Sequence, residues 1–217
     1  LQWLRLSPRA APADPDRRGG GPSKATPITI LYRHDLPWLL AAGRGEAEPA
    51  RPAAGAVAEV AEALGCHGPR FLTELAVDTG RLATDVEAAL WDGVARGLFT
   101  ADGFEAVRSL TTGGPGRREE RQARALSRLR RQGVRAAHGA GRWALVPPVG
   151  EPGVEEAADR HDLAEALADQ LLARWGVLFY DLYAHENLAV PWRELQWALR
   201  RLEDRGLVRV GPFVTGS

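Results

Sequence analysis

The sequence predicts a mainly α fold with a minor β component, and three observations carry the prediction. Apolar residues recur at helical spacing in two stretches, residues 56–97 and 162–206, each divided by glycines into short helices. Alternating apolar runs are short and end at proline, glycine or aspartate, as brief strands do. A strip of arginines with glycine-rich flanks separates the two helical stretches.

Taken in order, residues 2–6 and 28–32 are extended runs on either side of a Pro/Gly/Asp-rich loop, which predicts a long-looped strand pair. A short helix is expected at 34–42, and 43–55, rich in Ala, Glu, Pro and Gly, reads as a linker. Val57, Val60 and Leu64 share one helix face, with Gly65 as the stop. Phe71, Leu72 and Leu75 open a second helix that ends at Gly80. Thr84 and Glu87 have capping-box spacing ahead of a third helix, which carries Val86, Leu90 and Val94 on one face and Gly97 past its end. Leu98-Phe99-Thr100 reads as a strand and Asp102-Gly103 as a turn, so residues 56–112 have the order of a winged-helix-like unit.

Residues 113–140 read as an Arg/Gly-rich linker. Between Gly113 and Arg142 nine arginines meet only Glu119 and Glu120, a net +7 that the rest of the chain balances at −7. Such a strip favours a phosphate backbone locally, although 27 arginines against Lys24 alone is also what a GC-rich genome produces. Its middle, 121–132, has only Leu126 and Leu129 to bury and reads as a transient helix. Within 141–149, the run Arg142-Trp143-Ala144-Leu145-Val146 alternates and stops at Pro147-Pro148, a strand. Residues 160–217 read as a winged helix cut short at its C-terminus. It has a helix over 162–175 closed by Gly176, a strand at Val177-Leu178, a helix over 180–186 and a third helix to Arg205. Wing strands follow at 207–210 and 213–214. The expectation is tandem winged-helix-like units plus a small β element, joined by an Arg-rich linker, with residues 1–48 as a separate strand-and-helix element.

Composition bounds the function. The chain is 45% hydrophobic, enough for packed cores, and has no apolar run of about 18 residues to span a bilayer. Its N-terminus, LQWLRLSPRA, lacks the pattern of a signal peptide, so a soluble cytoplasmic protein with no membrane partner is expected. The single cysteine, Cys66, excludes an intrachain disulfide and reads as a small buried residue. Asp78-Thr79-Gly80 matches an aspartic-protease motif but falls at a helix end, and His185-Glu186 lacks the second histidine of H-E-x-x-H. Asp14 and Asp16 read as solvated turn residues. No catalytic residue, cofactor or metal is expected on these residues. Methionine is absent even at position 1, and the chain stops in what reads as an unfinished strand and turn, as an internal piece of a longer protein would.

The last predicted helix has two distinct sides. With Leu195 at 0° on a helical wheel, Trp192, Ala198, Leu199 and Leu202 fall within about 60°, a core stripe. Arg193, Trp197, Arg200, Arg201 and Asp204 fall between about 140° and 240°. An aromatic flanked by arginines stacks on an unpaired base while the cations hold phosphates. The candidate DNA contacts are therefore Trp197, Arg193, Arg200 and Arg201 on this helix, Arg209 on the wing, and Arg142 and Trp143 on the strand after the strip. Trp143 also reads as a core residue; Trp38, Trp91, Trp175 and Trp192 read as packing residues. An exposed Trp among arginines equally suits a protein–protein or interdomain docking surface, or an oligomer contact.

Several stretches resemble one family. GRWALVP (141–147), ALADQLLARWGVLFYDL (166–182) and PWRELQWALRRLEDRGLVRVGPFVTG (191–216) are similar to the C-terminal region of large helicase-related (Lhr-type) superfamily 2 DNA helicases. There G-R-W-S-L-hydrophobic-P precedes L-L-x-R-Y-G-V-V, then P-W-R-E-L, R-R-L-E-x-R-G and G-x-F-V-x-G. ALWDGVARGLFTADGFEAVRSL (89–110) is similar to the family's preceding stretch, and ITILYRHDLPWLL (28–40) is compatible with its earlier strand. Trp175 stands where the family has Tyr and Ala144 where it has Ser, and Trp197 carries no family role. The resemblance implies an ATP-dependent motor that tracks single-stranded or tailed DNA in DNA repair, in a bacterial cytoplasm and at the nucleoid. In such a protein this region is a non-catalytic winged-helix module completing the DNA channel. No G-x-x-x-x-G-K-[ST] and no D-E-x-H occurs, so ATP and magnesium are expected in motor domains of the same polypeptide, N-terminal to Leu1. Relatives of these C-terminal regions include DNA glycosylases, but no acidic or amide motif for base excision is identified, which argues against an autonomous enzyme.

Overall fold

Three tryptophans far apart in sequence meet in the core of the first of two units. The computed structural model describes residues 1–7, 27–45, 47–112, 141–149 and 160–212. These divide into unit 1, within Leu1–Arg33 and Pro49–Pro147, and unit 2, within His34–Glu48 and Pro148–Ser217. The arginine-rich strip at 113–140 lies outside the described residues.

In unit 1, strands β1 (Gln2–Leu4), β2 (Thr29–Leu31), β3 (Phe99–Ala101) and β4 (Trp143–Leu145) form an antiparallel sheet in the order β2-β1-β3-β4. Trp3 pairs with Ala101, and Ala101 pairs with Trp143, so the small alanine separates two indoles across adjacent strands. The Trp3 and Trp143 rings meet edge to face at 6.0 Å. Trp91 stacks on Trp3 at 6.1 Å and meets Trp143 edge-on at 5.9 Å. Perpendicular indoles set a positive edge against a negative face, an arrangement that adds to area burial. Trp3 Nε1 donates to the Gly103 carbonyl at 2.9 Å, and Trp143 Nε1 is buried without a hydrogen-bond partner.

Helices α2 (Ala56–His67), α3 (Leu72–Thr79) and α4 (Ala83–Ala95) pack on one another through Val57, Val60, Leu64, Leu75, Val86, Leu90 and Val94. Arg70, between α2 and α3, forms a β-bridge with Trp143, exchanging backbone hydrogen bonds at 2.9 and 2.7 Å. The three helices and the strand after them follow the predicted order. However, β3 pairs with β4, which the sequence predicts as a separate element at 141–149, because Phe99–Ala101 pairs with Trp143–Leu145 rather than with a strand of its own segment. Gly93 lets β3 close on α4: Leu98 N–H donates to its carbonyl at 2.8 Å, and a Cβ there would overlap the Phe99 ring. At the other end of the strand pair Gly141 has φ +79, and a Cβ would overlap the Asp102 carboxylate that accepts from Arg142 N–H at 2.6 Å.

Local signals shift in several places. Helix α2 runs through Gly65 and ends at Gly68, whose N–H donates to Leu64 O at 2.9 Å. Gly65 has no left-handed φ and a Cβ there would make only ordinary contact with Leu145, so this glycine is a helix-interior residue rather than a stop. Helix α4 starts at Ala83 with Leu82 as N-cap, so Thr84 lies inside the first turn and caps nothing. The acidic N3 contact occurs instead on α3, where the Glu74 carboxylate accepts from Phe71 N–H at 2.9 Å. Helix α5 (Glu105–Thr112) follows the turn at Asp102, where no helix is expected from the sequence. Cys66 is exposed, because it lies on the solvent side of α2.

Unit 2 contains α1 (Leu36–Arg44), α6 (Arg160–Trp175), α7 (Tyr180–Ala184) and α8 (Trp192–Asp204). Residues 1–48 do not form one element, because Ala42 of α1 is buried with Ala164, Leu167, Leu195 and Ala198, and its carbonyl accepts from Ala189 N–H at 2.7 Å. The predicted stripe of α8 is the core face: Leu195, Ala198 and Leu202 are buried, with Trp192 and Leu199 packed beside them. Trp192 lies against Tyr183 at 5.4 Å and Tyr180 at 5.8 Å. Residues 177–178 and 207–210 are not strands; neither finds a β partner among the described residues. After α8 the chain is held by local bonds instead, Leu207 N–H to Leu202 O at 2.9 Å and Val210 N–H to the Glu203 carboxylate at 3.1 Å. Residues 213–214, predicted as the second wing strand, lie outside the described residues. No helix among the described residues is long and apolar enough to cross a membrane.

Two expected outcomes test this packing. Trp143→Ala should destabilise unit 1 by about 3–5 kcal/mol, measured by denaturant titration, because it opens a cavity against the Trp3 and Trp91 rings. In unit 2 the Tyr183 hydroxyl donates to the Val190 carbonyl, and burial, reinforced by the Glu194 carboxylate, pushes its pKa up to about 12. The unfolded chain loses this proton near pH 10, so the stabilisation is complete below about pH 10 and is lost as pH rises through 12. Tyr183→Phe should therefore flatten the fall in stability over that window, followed by circular dichroism.

Candidate nucleic-acid interface

The core stripe of α8 leaves its opposite side free for other contacts. Pro191 is an extended N-cap with φ −65° and ψ 142°, which starts the helix at Trp192 and turns Arg193, Gln196, Trp197 and Arg200 to the exposed side. The Arg193 guanidinium carbon lies 5.0 Å from the Trp197 ring centroid, one helical turn away. Trp197 remains 43% exposed. A cation over one part of an indole leaves the rest to stack on another flat ring, and Arg200 stands one turn further along the same side.

Arg201 is placed differently. Its Nε lies 3.5 Å from Glu165 Oε2 on α6, and Arg205 Nη2 donates to the other oxygen of the same carboxylate. The hydrogen bond from Arg205 holds the Glu165 carboxyl below the usual carboxylate range, against its partial burial. The helical wheel puts Arg201 with the exposed group, but at its edge, where a long side chain reaches the neighbouring helix. Arg209 is exposed in the irregular segment after α8.

The remaining predicted contacts belong to unit 1. Arg142 is exposed, with its guanidinium carbon 5.3 Å from the Phe71 centroid. Trp143 is 2% exposed and cannot stack on a base; the Trp3 and Trp91 rings occupy its surroundings. Conversely, Trp175 is 44% exposed rather than packed. Arg174 lies 4.6 Å over its ring, and both side chains bond Glu186, at 3.1 and 3.0 Å. Helical periodicity does not show Glu165, Arg205 or Glu186, since each acts through a partner on another element. Among the described residues no group of His, Cys, Asp and Glu side chains is placed to hold a metal ion. Asp78 pairs with Arg70 at 3.5 Å, and His185 Nδ1 lies 2.6 Å from the Asp181 carbonyl.

Helices α6, α7 and α8 follow one another in the order of the helical part of a winged-helix module, with the aromatic-basic face on the third. Residues 157–217 match the family model described as "Large helicase-related protein, winged-helix domain". This segment is thus similar to the winged-helix domain of the large helicase-related family, the family that the sequence motifs resemble. The chain is also 28% identical over 141 residues to the Lhr helicase/uracil glycosylase of Escherichia coli (strain K12). That similarity covers 60% of the chain, which spans only 9% of the length of this curated relative. No solved structure matches the chain.

Because the outer face carries no core contacts, Trp197→Ala and Arg200→Ala should each change the unfolding free energy by less than about 1 kcal/mol. Thermal and denaturant melts of the two variants check this.

Proposed function

We propose that the chain is a non-catalytic accessory module of an Lhr-type ATP-dependent DNA helicase acting in DNA repair, and that the outer face of α8 meets single-stranded or tailed DNA. The observation that carries the reading is Trp197, exposed beneath Arg193 with Arg200 alongside, on a helix whose opposite face fills the core. Bases stack on the indole and the guanidinium groups take phosphates, which needs no sequence-specific contact. Arg209 and Arg142 supply further cations. ATP and magnesium are handled by motor domains elsewhere in the same polypeptide, in the cytoplasm.

A docking role is the second reading, favoured by the exposure of Phe179 and Tyr180 together with Trp175 and Trp197 in one unit. Exposed aromatics also anchor protein contacts. The two readings differ in salt response, because phosphate contacts release counterions and aromatic protein contacts do not.

Fluorescence anisotropy with a labelled single strand across a salt series separates them. The DNA reading expects affinity to fall steeply with salt, and Trp197→Ala and Arg193→Ala/Arg200→Ala each to weaken binding by about 1 kcal/mol or more. A folded chain that binds no strand at low salt assigns Trp197 to docking.

A further inference from the structure

Two guanidinium groups of unit 2 converge on one carboxylate. Arg205 Nη2 donates to Glu165 Oε1, and Arg201 Nε lies 3.5 Å from Glu165 Oε2. Arg205 Nε also donates to the Arg201 carbonyl at 3.3 Å, which keeps the two arginines on one side of the helix end. A carboxylate presents two anionic oxygens on one central atom, as a phosphodiester does, and guanidinium forks bind both with the same geometry. The cluster is open to solvent: the side chains are 39% exposed at Arg201, 50% at Arg205 and 26% at Glu165.

Glu165 is not what joins α6 to α8. Leu167, Ala168 and Leu171 already pack against Leu195, Ala198 and Leu202 in the core beneath it. Ion pairs this exposed contribute little to stability and exchange readily with a competing anion. The carboxylate therefore occupies an anion position without being needed for the fold.

We propose that Arg201 and Arg205 form a second phosphate position for a nucleic-acid strand, and that Glu165 occupies this position intramolecularly, in competition with the strand. The proposal rests on the assignment of α8 to nucleic acid made above. Trp197, Arg193 and Arg200 make the first contact, and the backbone then displaces Glu165 from two further cations. Glu165 is a positioning residue: it sets how many phosphates the unit engages and keeps the affinity of a tracking surface from becoming too high.

The test uses the 217-residue chain and a labelled oligothymidylate across a salt series, with thermal melts of every variant. Glu165→Gln should bind several-fold more tightly at low salt, and its log affinity against log salt should steepen by about 0.7 for each phosphate gained. Arg201→Gln/Arg205→Gln, added to that variant, should abolish the gain; in the wild-type background the same pair should make the slope shallower. A folded Glu165→Gln chain with unchanged or weaker binding overturns the proposal if Trp197→Ala loses binding. If Glu165→Gln does not fold, the arginine pair decides: an unchanged slope overturns the proposal. Absence of binding by the wild-type chain at every salt concentration sinks the nucleic-acid reading itself, and this inference with it.

Discussion

Ala101 stands between Trp3 and Trp143 in the sheet register, and its methyl group leaves the volume in which the two indoles meet at 6.0 Å. Trp91 reaches down from α4 onto both, so one contact point ties the first strand, the strand after the arginine strip and the third helix of unit 1. A larger residue at 101 would separate the rings and lift α4 from the sheet. The two glycines next to this point serve the same closure: Gly93 brings β3 against α4, and Gly141 brings the start of β4 against Asp102 and Gly103. The strands are only three residues long, so side-chain packing rather than ladder hydrogen bonding holds the sheet together.

In unit 2 the organising constraint is the division of α8 into two faces. Leu195, Ala198 and Leu202 satisfy the core, which leaves a cation–π pair on the solvent side with no structural task. Electrostatics then divide the arginines of one helix into two groups. Arg193 and Arg200 face outward, whereas Arg201 and Arg205 turn back to Glu165. Four cations within 13 residues would repel one another; a shared carboxylate lowers that repulsion at the helix end, where cations also oppose the negative dipole.

Much of this was legible in the residues themselves. The 3.6-residue stripe of α8, the glycine stops after Thr79, Trp175 and Asp204, and the pairing of the two N-terminal extended runs follow from periodicity and turn chemistry. Motif likeness over residues 191–216 led to the family that the comparison of 157–217 supports. What failed were signals with a local alternative. Gly65 looked like a helix stop and is a helix interior, and Thr84 looked like a cap and is the second helical residue. The runs at 177–178 and 207–210 have strand-like composition but no partner strand among the described residues, and composition alone does not make a ladder.

By itself the sequence determined the inward stripes of α2, α4 and α8, because burial has a fixed period and polar side chains are expensive to desolvate. It also determined the pairing of an aromatic with cations on one helix face, since residues one turn apart are neighbours wherever the helix lies. Only the tertiary structure decided that α1 belongs with the C-terminal helices, that Trp143 is core while Trp175 is exposed, and that Glu165 captures Arg201 and Arg205. These outcomes depend on contacts between segments tens of residues apart, and no local period encodes which distant surface a side chain will meet.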